Sequence, residues 1–232
     1  MKKAWHFIKR VLLYMFISSL IYAIVCRWVM PPITVTQITN SFTYGLKRDY
    51  VRWDDISYNV KLAAIASEDQ AFPDHWGFDM NALKKSFNPK KKNKKTRIAL
   101  GGAASTISQQ TAKNVFLWQG SGVTKYIRKG LEFYFTGLTE LFWNKKRILE
   151  VYLNTIEMGP GIFGIEAASQ HYFHKPAKSL SREEAAKIIS CLPNPKRFSV
   201  VPISRRVAWR YPQIIREMNN IEDDPDIQKI IR

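Results

Sequence analysis

The run from Val11 to Cys26 carries no charged residue, and its apolar character continues to Met30 with Arg27 as the one charged interruption. A helix needs roughly 20 such residues to cross ~30 Å of hydrocarbon, and this run supplies them. Lys2, Lys3, Lys9 and Arg10 precede it. That asymmetry puts residues 1–10 in the cytoplasm, while Arg27 and Trp28 suit the far interface. A cleaved signal peptide would close on a small-x-small site. Here the run ends in the bulky Val25-Cys26-Arg27-Trp28, so 11–30 reads as a retained transmembrane anchor with the rest of the chain outside the cytoplasm.

Pro31-Pro32 stops that helix, and the Thr-rich stretch beyond it, to residue 53, reads as an extended linker with β character. From Asp54 the pattern turns helical. Asp54 or Asp55 is positioned to cap a helix whose apolar residues Val60, Ala63 and Ala64 recur at helical spacing and carry Glu68 and Asp69 to its end. Helices are then expected over Thr106–Trp118, Thr124–Trp143, Lys145–Met158, Ile165–Phe173 and Ser181–Cys191. The last opens on Ser181-Arg-Glu-Glu184, a capping-box signature, and stops before Pro193. Asn88–Arg97 holds six basic residues without apolar support and reads as a mobile loop. A helix from Arg205 closes a mainly α catalytic domain over 54–215, and 216–232 is a tail whose final dozen residues are expected to fray.

Composition narrows the chemistry. The chain has 232 residues, 46% of them hydrophobic, enough for one core plus an appendage. A formal charge of +17 points to a polyanionic partner: nucleic acid, an anionic membrane or a phosphorylated substrate. Cys26 and Cys191 are too differently placed to suggest a disulfide. His6, His75, His171 and His174 form no metal-ligand pattern, so the protein alone is not expected to hold a metal.

Four polar clusters stand out against the apolar helices. Glu68-Asp-Gln-Ala-Phe-Pro-Asp-His-Trp-Gly77 sets two carboxylates beside aromatics, a histidine and a glycine able to turn sharply, as acid–base work on a polar substrate requires. Ser105-Thr-Ile-Ser-Gln-Gln-Thr-Ala-Lys-Asn114 starts on Ser105 as N-cap and puts Thr106, Gln110 and Lys113 on one helix face, flanked by Gln109 and Asn114. Hydroxyls, amides and a lysine at a helix start can cradle a phosphate or sugar hydroxyls; alternatively this is a capped surface helix. Arg128-Lys-Gly-Leu-Glu132 contains an i, i+4 pair that in isolation is an ordinary solvated contact. Lys146-Arg-Ile-Leu-Glu-Val-Tyr-Leu-Asn154 stacks Lys146, Glu150 and Asn154 at i+4 steps opposite an apolar stripe that includes Tyr152. That row looks like scaffold able to orient catalytic carboxylates, and Gly159, Gly161 and Gly164 follow as a turn.

Taken together, over about residues 60–200 and in this order, the four clusters resemble the motifs of the family 51 peptidoglycan glycosyltransferases in their monofunctional, membrane-anchored form. The first motif is matched by Glu68, Asp69, Phe72, His75 and Gly77, the second by Ser105–Asn114, the third by Arg128, Lys129 and Glu132, and the fourth by Lys146–Gly164. One departure is that Ala103-Ala104 stand between Gly101-Gly102 and Ser105, where the family has glycine directly before Ser-Thr.

The resemblance implies a mainly α, lysozyme-like lobe with a smaller jaw near the membrane, behind one transmembrane helix. It also implies polymerisation of lipid II into glycan strands, with inversion and release of undecaprenyl diphosphate. Glu68 is then the general base, shaped by Asp69, and Glu132 holds the donor side. Ser105, Thr106, Gln109, Gln110, Lys113, Asn114, Arg128 and Lys129 bind substrate, with the cations stabilising the diphosphate. His75, Lys146, Glu150, Tyr152 and Asn154 give structural support. A Mg²⁺ or Mn²⁺ ion is expected only in company with the substrate diphosphate. The expected partners are lipid II, the growing glycan, membrane lipids and division or elongation proteins, at the inner membrane. A hydrolase on the same fold would not need clustered cations beside its glutamates, and an exported domain without a nucleic-acid motif would not meet DNA.

Overall fold

The computed structural model describes residues 2–80, 105–119 and 124–232. The lysine-rich loop at 90–97 and the Gly101–Ala104 departure lie outside them. The described chain is mainly helical, as the periodicity implies.

Helix α1 spans Lys2–Val25 and is long and apolar enough to cross a membrane, as a single-pass protein requires. Its last turn is fastened to the body of the protein. Trp143 donates from Nε1 to the Ala23 carbonyl at 2.7 Å, and Arg147 reaches the Cys26 carbonyl from Nε and Nη2 at 3.1 and 3.0 Å.

The stretch expected to be extended is instead a helix, α2, Val35–Tyr44. Thr34 and Gln37 form a reciprocal capping box, the side chain of each accepting from the other's backbone N–H. Two orphan amides satisfied this way outweigh the β preference of the threonines. After α2 comes β1 (Lys47–Arg48), then a tight turn at Trp53–Asp55 that contains both expected capping aspartates. The cap of the next helix, α3 (Tyr58–Glu68), is Ser57, which accepts from the Asn59 amide.

Helix α3 is buried all round: Val60, Leu62, Ala63, Ala64 and Ile65 are all fully enclosed. Its small side chains let it run through the centre of the core rather than across its surface. Helices α4 (Ile107–Phe116), α5 (Thr124–Phe142) and α6 (Lys145–Thr155) follow. Helix α5 packs along α1 and α4 and leaves Tyr126, Ile127, Leu131, Phe133 and Leu141 exposed, an apolar flank beside α1.

The expected extension of α6 to Met158 stops at Thr155, because Glu157–Gly159 forms β2. β2 pairs antiparallel with β3 (Ile162–Phe163), which pairs parallel with β1, giving the order β1-β3-β2. Gly161 makes the turn with φ +70 and lies so close to α2 that a Cβ there would be 2.6 Å from the Gly45 carbonyl oxygen.

Helices α7 (Ile165–Phe173), α8 (Arg182–Ser190, with the expected Ser181–Glu184 capping box) and α9 (Arg205–Ile221) complete the core around α3. The final dozen residues do not fray. They form α10, Pro225–Ile231, started by Asp224 as N-cap, and Ile227 and Ile231 are buried. Gln228 ties this helix to Tyr58 at the start of α3 with a 2.7 Å hydrogen bond.

Candidate active site

Because α3 is locked on every side, its last residue, Glu68, is delivered at a fixed place, half-buried at the mouth of the core. Ser67 donates to its Oε1 at 3.2 Å and Gln110 Nε2 to its Oε2 at 3.1 Å. Burial pushes the Glu68 carboxyl above the ordinary carboxylate range. The hydrogen bonds from Gln110 and Ser67 and the charge of Arg210 pull it back, while neighbouring Asp69 raises it further. A carboxylate held in this balance is suited to taking a proton.

Asp69 is fully engaged. Its Oδ2 accepts from the Ile107 amide at 3.0 Å, and both of its oxygens lie 3.0 Å from His75 Nε2. The N-cap of α4 is Thr106 rather than Ser105. Thr106 Oγ1 donates to the Gly77 carbonyl at 2.7 Å and accepts from the Gln109 amide, while Gln109 Oε1 accepts from the Thr106 amide. The polar atoms of Asp69, His75, Thr106 and Gln109 thus join the 69–77 loop to the first turn of α4. Ser105 is half-buried, and its carbonyl receives a 3.4 Å bond from Gln110.

One turn further along α4, Lys113 and Asn114 are half-buried. Burial lowers the Lys113 pKa, Arg128 and Lys129 lower it further, and Glu132 and Glu68 raise it. That one ammonium senses both glutamates and both other cations brings three clusters, far apart in sequence, into one electrostatic unit. Glu132 is 3% exposed and paired with Lys129 at 2.5 Å. Among the described residues, Arg128 Nε is buried without an acceptor, which an anionic oxygen would supply.

The fourth cluster divides between two tasks. Glu150 accepts from the Trp53 amide at 2.9 Å and from Arg147 at 2.7 Å, Asn154 bonds both backbone groups of Val51, and exposed Lys146 lies 5.2 Å from the Trp53 ring. That row braces residues 51–53 and does not orient Glu68. Buried Tyr152 does reach the site, donating to Gln110 Oε1 at 3.3 Å. The lysine that turns toward the 69–77 loop is Lys145, whose Nζ donates to the His75 carbonyl at 2.6 Å and to Glu140 at 2.7 Å. A step of one residue rotates a side chain by about 100°, so Lys145 and Lys146 project from different sides of α6.

Glu140, Lys145 and Arg210 had weaker signals. Glu140 and Lys145 lie on different helices, and no periodicity links them. Arg210 is 4% exposed and makes a two-pronged contact with Glu217 at 3.0 and 3.1 Å. Their separation of seven on α9 was the only sign of that pair. Among the described residues, no three or more His, Cys, Asp or Glu side chains group so as to hold a metal ion.

A family model described as Transglycosylase matches residues 35–219. Its start coincides with the first residue of α2. A protein of Yersinia pseudotuberculosis serotype O:3 (strain YPIII), named biosynthetic peptidoglycan transglycosylase, is 50% identical over 184 residues, covering 79% of this chain and 73% of the relative. A protein of Yersinia pestis (strain Pestoides F) with the same name shows the same identity and coverage.

Proposed function

The chain belongs to the transglycosylase family, and from that premise we propose how its residues perform the polymerisation of peptidoglycan glycan. The enzyme is a glycosyltransferase whose substrates are lipid II and the growing glycan chain. Glu68 is the general base: it takes the proton of the acceptor sugar hydroxyl as that oxygen attacks the anomeric carbon of the growing chain. Attack from the face opposite the diphosphate inverts the centre, with a sugar hydroxyl in the place that water takes in an inverting hydrolase.

A diphosphate leaves without a strong acid if cations meet its developing charge. Lys129 pairs with Glu132, and half-buried Lys113 feels the charges of Glu132, Arg128 and Lys129, a partly desolvated setting where such charges act strongly. The buried Nε of Arg128, without an acceptor among the described residues, is the single observation that most favours a phosphate oxygen here. Glu132 keeps the three cations together on the donor side. A Mg²⁺ or Mn²⁺ ion arriving with the diphosphate would add neutralising charge, and buried Glu132 is the carboxylate suited to hold it.

The anchor serves this chemistry because both substrates carry lipid tails, and a tethered enzyme meets them within the membrane plane. We infer an orientation with residues 1–10 in the cytoplasm and the catalytic domain on the outer face of the inner membrane, from the basic residues ahead of Val11. Division or elongation proteins are the expected recruiters.

Incubating the detergent-solubilised full chain with purified lipid II tests the reading. Glycan polymer and undecaprenyl diphosphate should accumulate, and finished glycan should remain intact. Cleavage of finished glycan without polymerisation would instead identify a hydrolase.

A further inference from the structure

The 69–77 loop and the first turn of α4 meet on one carboxylate that the chemistry above does not use. The Glu140 side chain is 4% exposed, and its Oε1 accepts from Ser108 Oγ at 2.5 Å and from Lys145 Nζ at 2.7 Å. Lys145 continues to the His75 carbonyl and packs 4.7 Å from the centre of the Phe72 ring. The loop also rests on the stem of Glu140: a Cβ at Gly77 would lie 2.9 Å from Glu140 Cγ. Helix α5 thus grips the loop through Lys145 and grips α4 through Ser108.

Ser108 and Gln110 are two residues apart on α4, and Gln110 is the donor to Glu68. The rotation and height of α4 decide whether that 3.1 Å bond forms. We propose that Glu140, charge-balanced by Lys145, is a positioning centre: by holding Ser108 it sets α4 so that Gln110 addresses Glu68, and by holding the 69–77 loop it keeps the same helix start in register with Asp69. The proposal rests on the reading of Glu68 as general base.

Its signature is a pH profile. A hydrogen bond donated to a carboxylate favours the ionised form, so a misaimed Gln110 leaves Glu68 protonated to higher pH and moves the acid limb of kcat upward. The charged and titratable groups that face Glu68 are Asp69 beside it, Lys113 from α4, Tyr152 from α6, Cys191 after α8 and Arg210 from α9. Substitution at Ser108, Glu140 or Lys145 alters none of these side chains.

The experiment compares Ser108→Ala, Glu140→Gln, Lys145→Met and Lys145→Arg in the full-length enzyme by steady-state polymerisation of lipid II across pH. A small misplacement of a catalytic helix can cost up to about 10²-fold, so kcat should fall by roughly 10- to 100-fold in Ser108→Ala, with KM much less changed. The acid limb should move to higher pH, and Lys145→Arg should recover more activity than Lys145→Met. In a Gln110→Ala background, Ser108→Ala should move the limb no further, because the bond it acts through is already absent.

Glu140→Gln and Lys145→Met disturb a buried ion pair and are accompanied by circular dichroism. If either fails to fold, Ser108→Ala, which removes a single oxygen, decides. An unmoved limb with kcat within about twofold of wild type in folded Ser108→Ala overturns the proposal, as does a limb shift that persists undiminished on Gln110→Ala. If Glu68→Gln retains full activity, the underlying assignment of the base is wrong, and that outcome is separate from either of these.

Discussion

Gln110 donates to Glu68 Oε2 at 3.1 Å while its own Oε1 accepts from Tyr152, so a neutral amide opposes the effect of burial on the candidate base. The amide is fixed at both ends. Its donor is therefore presented to Glu68 before substrate arrives, the arrangement in which a polar group contributes without reorganising during reaction.

Replacing Glu68 by Gln keeps shape and most hydrogen bonding but removes the base. Polymerisation of lipid II should drop by about 10²–10⁴-fold, the usual cost of losing a general base, without a fall in thermal midpoint. Glu132→Gln should also cripple turnover, by loosening the cation cluster held at Lys129. A wild-type rate in either variant would refute the role given to that residue.

The raised Glu68 pKa has two consequences with different signs. Activity needs the ionised form, so the acid limb of kcat should lie above the ordinary glutamate value of 4.5, and Gln110→Ala should push it higher. Stability runs the other way. A native pKa above the unfolded one means that the native state holds its proton more tightly, so this contribution is full below the unfolded value and is lost as pH rises through the native one. Thermal melts of wild type and Glu68→Gln should therefore diverge over that window, with the wild type losing ground as pH increases.

Lys113 should lose its charge at lower pH than an ordinary lysine, because burial and the neighbouring Arg128 and Lys129 disfavour it. Its neutralisation would weaken the hold on the leaving diphosphate, so Lys113→Arg should extend the alkaline limb of kcat. Lys113→Ala and Arg128→Ala are each expected to lower kcat by about 10²–10³-fold, as for the loss of one donor to a developing anion. Unchanged kinetics in both alanine variants would return these side chains to the role of solvated helix faces.

Gly77 has φ +77, and a Cβ there would meet Thr136 Cγ2 at 2.8 Å as well as the Glu140 stem. Gly77→Ala should cost about 1–2 kcal/mol in backbone strain and a further 1–3 kcal/mol in overpacking. Urea denaturation would read this as a lowered midpoint with little change in slope. A midpoint equal to wild type would mean that the loop can move away from α5.

For topology, a periplasm-active reporter fused after Arg232 should be active, and the mature chain should still begin near Met1. A cytoplasmic signal would contradict the orientation proposed above. An N-terminus found just after Cys26 would mean a released enzyme.

The N-terminal apolar helix, the helices after Glu68 and the capping box at Ser181 were legible in the sequence because each rests on interactions between residues a few positions apart. Charge-free length, 3.6-residue periodicity and a cap three residues from its partner are local, and a chain carries them openly. The four polar clusters were legible as candidates for the same reason. Only the tertiary structure decided what each polar atom does. Lys145 and Lys146 look equivalent in sequence, yet the twist of α6 sends one to His75 and Glu140 and the other to the Trp53 ring. The helix over Val35–Tyr44 and the ordered end at Ile227 and Ile231 were missed where a β-prone composition or a terminal position hid a cap and two buried anchors. The hydrogen bond between Ser108 and Glu140, and the charge that Arg210 adds near Glu68, join segments tens of residues apart. No local pattern specifies such contacts, because they arise only when the core closes and each buried charge must find a partner.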